Sequence, residues 1–167
     1  YIDESAGIQT VYQMKWLSEQ VNARGGIALD PWVYKVEYNR RLMLDVEKKR
    51  REIIAGRAQP DAYLIRGAKE FLSTLRALGV ALHVASGTDH PDVTQEAELL
   101  GIAKLVDTIS GAPVGEESCS KEKVLRRLAQ DMGLLGPEVC VIGDGKVEIA
   151  LGAELGARTL GLATDEE

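Results

Sequence analysis

Two short apolar runs do most to limit how this chain can fold. Val80-Ala81-Leu82-His83-Val84-Ala85 leads into Ser86-Gly87-Thr88-Asp89, and Val139-Cys140-Val141-Ile142 leads into Gly143-Asp144-Gly145. Runs this short, bounded by glycine and small polar residues, suit strands buried in a parallel sheet. Weaker runs at Val106–Ser110 and Thr159–Ala163 have the same character. Helical patterns alternate with them. Gly67–Leu78 carries Phe71, Leu75 and Leu78 on one face, Pro91–Leu100 follows, Ser120–Met132 carries Val124, Leu128 and Met132, and Lys146–Leu155 comes last. A glycine stands at the end of each of these helices. Such alternation predicts an α/β fold, a parallel sheet with helices on both faces, whose chemistry gathers at the carboxyl ends of the strands.

The first 60 residues have a different texture, with two helical patterns and no convincing strand. One runs from about Gly7 to Arg24 and stops at Gly25-Gly26; the other opens at Asp30-Pro31, where aspartate can cap a helix and proline fits its first position. The second ends in the charged stretch Glu47-Lys48-Lys49-Arg50-Arg51-Glu52, read as a solvated face. Gly56 to Pro60 reads as a linker.

With a formal charge of −6, the chain is a poor match for sequence-independent binding to nucleic acid or for docking on anionic membranes, both of which use basic surfaces. No apolar run is long enough to span a bilayer. Two cysteines, Cys119 and Cys140, are too few for a disulfide framework or a zinc site, and Cys140 reads as a small core residue. Cytoplasm is the default compartment. The opening Tyr1-Ile2-Asp3-Glu4 has no initiator methionine, so the sequence is expected to begin inside a longer protein.

Five positions could carry chemistry. Ser86 can donate a hydroxyl hydrogen bond and Gly87 a backbone N–H, which together suit a phosphate oxygen, although the same residue types make an ordinary turn. Asp144 and Glu148, four apart, can bring two carboxylates to one point above the sheet and suit Mg²⁺. A helix cap at Asp144 with a solvated Glu148 is the plainer alternative, but the flanking glycines suggest close approach of backbone or ligand. Lys121, at a helix start, opposes the helix dipole and so is expected to serve elsewhere, neutralising a phosphate or carboxylate. Gly143-Asp144-Gly145-Lys146 lacks the third glycine of a dinucleotide fingerprint and the Ser or Thr of a P-loop.

The order of these features, apolar strand and Ser86, then Lys121, then strand and Gly143-Asp144 followed after three intervening residues by Glu148, resembles the second, third and fourth motifs of the haloacid dehalogenase-like hydrolases. Leu64-Ile65-Arg66-Gly67-Ala68-Lys69-Glu70-Phe71-Leu72 resembles the stretch leading from the helical cap back to the core in the phosphoglycolate-phosphatase-like branch. The region before it resembles that branch's cap, so the resemblance covers nearly the whole chain. It implies a helical cap over residues 1–60 and a Rossmann-like α/β core over 61–167 that lacks its first, central strand. That strand would lie between the strands ending at Ser86 and at Asp144, leaving a gap in the sheet.

The resemblance also implies roles. Ser86, with the backbone near Gly87, would bind the transferring phosphoryl group, and Lys121 would hold it together with the nucleophile. Asp144 would bind Mg²⁺, directly or through water, and Glu148 would support the ion. The family's paired aspartates have no counterpart in Asp3-Glu4-Ser5, so the nucleophile is expected outside the sequence and the chain alone is expected to be inactive. The implied activity is Mg²⁺-dependent hydrolysis of a small phosphorylated metabolite through an aspartyl-phosphate. A phosphomutase on the same fold, or a non-catalytic relative that binds a ligand or partner, are the alternatives; substrate and oligomeric state are not implied.

Overall fold

In the computed structural model, residues 10–113, 121–134 and 136–162 are described. The chain divides into two compact units, Tyr1–Gln59 and Pro60–Glu167.

The first unit is built from α1 (Thr10–Ala23) and α2 (Pro31–Ile54), which pack on each other. The start of α2 lies where the sequence placed it. The Asp30 carboxylate accepts the Trp32 N–H at 2.9 Å and Pro31 fills the first helical position, so two of the amides that open a helix need no other partner. The expected beginning of α1 at Gly7 lies outside the described residues. Glu37 accepts from Arg40 and Arg41, which hold its carboxyl down at about 2. The charged stretch from Glu47 is not uniformly solvated. Arg50 is buried and pairs with Glu47 at 2.7 Å, because position 50 falls on the inner side of α2 while its neighbours Lys49 and Arg51 are exposed.

The second unit opens with a 3₁₀ turn (Pro60–Tyr63) and continues through α3 (Ala68–Ala77), β1 (His83–Asp89), α4 (His90–Leu99), a second 3₁₀ turn (Ala103–Leu105), β2 (Thr108–Ala112), α5 (Lys121–Met132), β3 (Cys140–Gly143), α6 (Lys146–Glu154) and β4 (Arg158–Gly161). Each pair of strands is parallel and joined through a helix: β1–α4–β2 and β3–α6–β4. Helices α4 and α5 pack on β1 and β2, α6 packs on β3 and β4, and α5 touches α6. Ala112 and Val124 are the centre of the core, with Ala85 packed against them. Val124, Leu128 and Ala129 form the buried stripe of α5 as the four-residue spacing predicts, whereas Met132 at its end is exposed.

Among the described residues the four strands form two separate two-stranded sheets, and β1 does not pair with β3. This is the expected α/β architecture, with no ladder joining the strand that carries Ser86 to the strand that ends at Gly143.

Three further details differ from expectation. The first strand runs from His83 to Asp89, three residues later than the apolar run. Residues 80–82 are spent leaving the α3 end at Gly79, and the ladder starts only where His83 meets Thr108. There the His83 Nδ1 and Thr108 Oγ1 lie 2.9 Å apart, and just before it the Leu82 N–H donates to the Asp107 carboxylate at 2.8 Å. Cys140 is exposed, not buried. Strand alternation turns Val141 toward Gly152 on α6 and leaves Cys140 on the other face. Phe71 and Leu78 on α3 are exposed as well. No helix among the described residues is long and apolar enough to cross a membrane.

Candidate active site

Pairing along β1 is regular from His83 to Ala85 and resumes only at Asp89, opposite Ala112. Ser86, Gly87 and Thr88 therefore stand against Gly111 alone, and the strand bulges at the end where α/β sheets carry their chemistry. The bulge holds itself together: the Thr88 N–H donates to the Ser86 Oγ at 3.1 Å. Gly87 does not have a positive φ, so the chain does not need glycine there for backbone freedom. It needs space. A Cβ at Gly87 would stand 3.3 Å from the backbone nitrogen of Lys121 and 3.5 Å from its Cβ.

Lys121, the first residue of α5, is thus packed against the bulge in β1. Its ammonium forms an ion pair with the Glu148 Oε1, from the first turn of α6. Only 9% of the Glu148 side chain is exposed, against 31% for Lys121. The second oxygen of Glu148, Oε2, is buried and accepts no hydrogen bond from any described residue. A Cβ at Gly143 would stand 3.0 Å from the Glu148 Cβ and Cγ, and a Cβ at Gly145 only 2.5 Å from Oε2. Asp144, between these glycines, is exposed.

The structure thus brings Gly87, Lys121 and Glu148 into contact from three separate elements, places Asp144 on the loop that wraps the Glu148 carboxylate, and holds Ser86 there through its neighbour Gly87. Two features were missed by sequence reasoning. One is the Lys121–Glu148 pair itself, which spacing cannot reveal between residues on different helices. The other is Gly111, whose Cβ would meet the Thr88 carbonyl oxygen at 2.7 Å. The glycines beside Asp144 were the legible signal, and what approaches them closely is the protein's own carboxylate.

Do these groups suit a divalent ion? No set of three or more His, Cys, Asp or Glu side chains among the described residues could enclose one. Mg²⁺, however, is commonly held by one or two carboxylates and completes its shell with waters and substrate oxygens. An exposed Asp144 beside a buried oxygen lacking a partner fits that pattern.

The chain belongs to the haloacid dehalogenase-like hydrolases, whose pattern it matches over residues 8–156. No curated protein matches the sequence. Among solved structures, it is similar to a predicted phosphatase from Clostridium acetobutylicum (TM-score 0.55, 20% identity, 89% of this chain and 75% of that one). A superfamily hydrolase from Ehrlichia chaffeensis (TM-score 0.50, 18% identity) is matched over 95% of this chain and 80% of that one. A haloacid dehalogenase-like protein from Streptococcus pneumoniae (TM-score 0.51, 22% identity) is matched over 59% of this chain. These likenesses are of fold. The chain spans 45–46% of the length of three of the structures it matches, the Streptococcus protein among them.

Proposed function

We propose that this protein is a Mg²⁺-dependent phosphatase acting on a small phosphorylated molecule, with residues 60–167 providing the phosphate and metal side of the site. The observation that carries this reading is the contact of Gly87, Lys121 and Glu148 at the carboxyl ends of two strands, beside Asp144. A lysine held by one buried carboxylate, with 31% of its side chain still exposed, can offset the charge on a phosphoryl group. Ser86 and the backbone of the β1 bulge supply hydrogen-bond donors to phosphate oxygens. Asp144 would hold Mg²⁺, with the Glu148 Oε2 behind it; bound there, the ion would neutralise phosphoryl charge.

In this reading the attacking aspartate comes from a segment other than residues 1–167, and the phosphoryl group passes through an aspartyl-phosphate before water releases it. Residues 1–59 act as the cap that excludes water and reads the rest of the substrate.

The test is hydrolysis of 4-nitrophenyl phosphate by the intact protein. Turnover that stops with a chelator, returns with Mg²⁺ and is lost in Lys121→Ala supports the proposal. Turnover indifferent to chelation, or a fully active Lys121→Ala protein, sinks it.

A further inference from the structure

Glycine at position 145 is not required by the backbone. Its φ of −105° and ψ of 155° are extended values open to any residue. Its requirement is steric: a Cβ there would lie 2.5 Å from the Glu148 Oε2 and 3.3 Å from the carboxyl carbon and Oε1. Gly143 is crowded by the same side chain, its Cβ position lying 3.0 Å from the Glu148 Cβ and Cγ. The Glu148 carboxylate therefore lies back against the loop that precedes its own helix, in space that side chains at 143 and 145 would fill. That fold-back coexists with Oε1 pairing to Lys121 across from another helix.

We propose that Glu148 is the positioning residue for Lys121, and that Gly145 and Glu148 form a size-compensating pair in which the missing side chain at 145 makes room for the long carboxylate at 148. Lys121 has a flexible four-carbon stem and cannot fix its own ammonium. It is constrained at both ends, its backbone by contact with Gly87 and its ammonium by Glu148. Because Glu148 is buried, moving its carboxylate moves the cation that depends on it. An aspartate at 148 would withdraw the carboxylate by one C–C bond, about 1.5 Å, and relieve a methyl group at 145.

This inference rests on the reading of Lys121 as the residue that meets phosphate, and the test separates the two. The intact Mg²⁺-supplemented protein is titrated with inorganic phosphate by calorimetry, and its unfolding is followed in urea. Gly145→Ala should weaken phosphate binding on the order of tenfold, as expected for a displaced charge-assisted contact. Glu148→Asp should weaken it less, and the double variant should bind more tightly than Gly145→Ala alone. A Gly145→Ala protein that binds phosphate like the wild type, or losses that simply add in the double variant, would overturn the pairing. If the wild type binds no phosphate, the functional reading fails while the steric pairing is still decided by unfolding. Recovery of stability in the double variant supports it, and additive destabilisation overturns it.

Discussion

Gly111 lies directly against the turn that carries β1 into α4. Its N–H donates to the His90 Nδ1 at 3.3 Å, and a Cβ on Gly111 would stand 2.5 Å from the His90 Cα. The bulge of Ser86, Gly87 and Thr88 is therefore backed by a residue with no side chain on the neighbouring strand. The shape of the bulge in β1 thus depends on β2 as well as on its own residues.

Gly111→Ala is expected to destabilise the intact protein by about 1–3 kcal/mol, the usual cost of forcing atoms into a packed site. The atoms in the way, the His90 Cα and N and the Thr88 carbonyl oxygen, are backbone and cannot rotate aside. Gly161→Ala is the control, since nothing lies within 4 Å of a Cβ there. It should be neutral or slightly stabilising by restricting the unfolded chain. Equal urea midpoints for the two variants would contradict this account of the bulge.

Lys121→Met removes the cation but leaves the buried carboxylate of Glu148, whereas Lys121→Met combined with Glu148→Gln removes both charges. The single change is expected to cost about 1–3 kcal/mol, because a buried acceptor loses its charged partner. The double variant should cost less than the two single changes together. Strict additivity in a double-mutant cycle by urea unfolding would mean that the pair carries no coupling energy.

The pattern of apolar runs and terminal glycines was enough to reveal the alternating α/β order, and Asp30-Pro31 to reveal the start of α2. It did not reveal where pairing begins. Val80 and Leu82 look as strand-like as Val84 does, and only the partner residues Thr108–Ala112 decide that the ladder starts at His83. Of the candidate site, the residue types were legible: Ser86, Lys121, Asp144 and Glu148 stood out as candidates, and the structure brings Lys121 and Glu148 into contact. Their connections were not, because the pairing of Lys121 with Glu148 depends on how α5 and α6 sit against different strands. Cys140 failed for a related reason, since an apolar run states that a strand is buried without saying which of its faces is covered.

Asp107 offers a test by pH. The Leu82 N–H it accepts, with smaller contributions from the charges of Arg76 and His83, holds its carboxyl below the ordinary 3.8. A carboxyl whose folded pKa is depressed contributes stability that is fully present above its unfolded value and is lost as pH falls through the folded one. The stability difference between wild type and Asp107→Asn should therefore be constant from neutral pH down to the ordinary value, then shrink as the medium becomes more acidic. Urea unfolding at a series of pH values reads this directly. A difference that stays the same below that point would show that the ionised form of Asp107 contributes nothing to the start of β1.

Asp144→Asn separates function from folding most cleanly. Asp144 is exposed and lies between two glycines, so replacing its carboxylate by an isosteric amide should leave stability within about 0.5 kcal/mol of the wild type. If the carboxylate holds Mg²⁺ as proposed, its loss removes several kcal/mol of charge stabilisation, which corresponds to a fall on the order of 10²-fold or more in phosphatase turnover. The concentration of Mg²⁺ needed for half-maximal activity should rise as well, because the remaining carboxylate at Glu148 is already committed to Lys121 through one oxygen. Activity and Mg²⁺ titration are to be measured on the intact protein alongside urea unfolding of the same samples. A variant that folds normally and keeps wild-type turnover at low Mg²⁺ would remove Asp144 from the metal site and leave Lys121 and Glu148 as a structural pair.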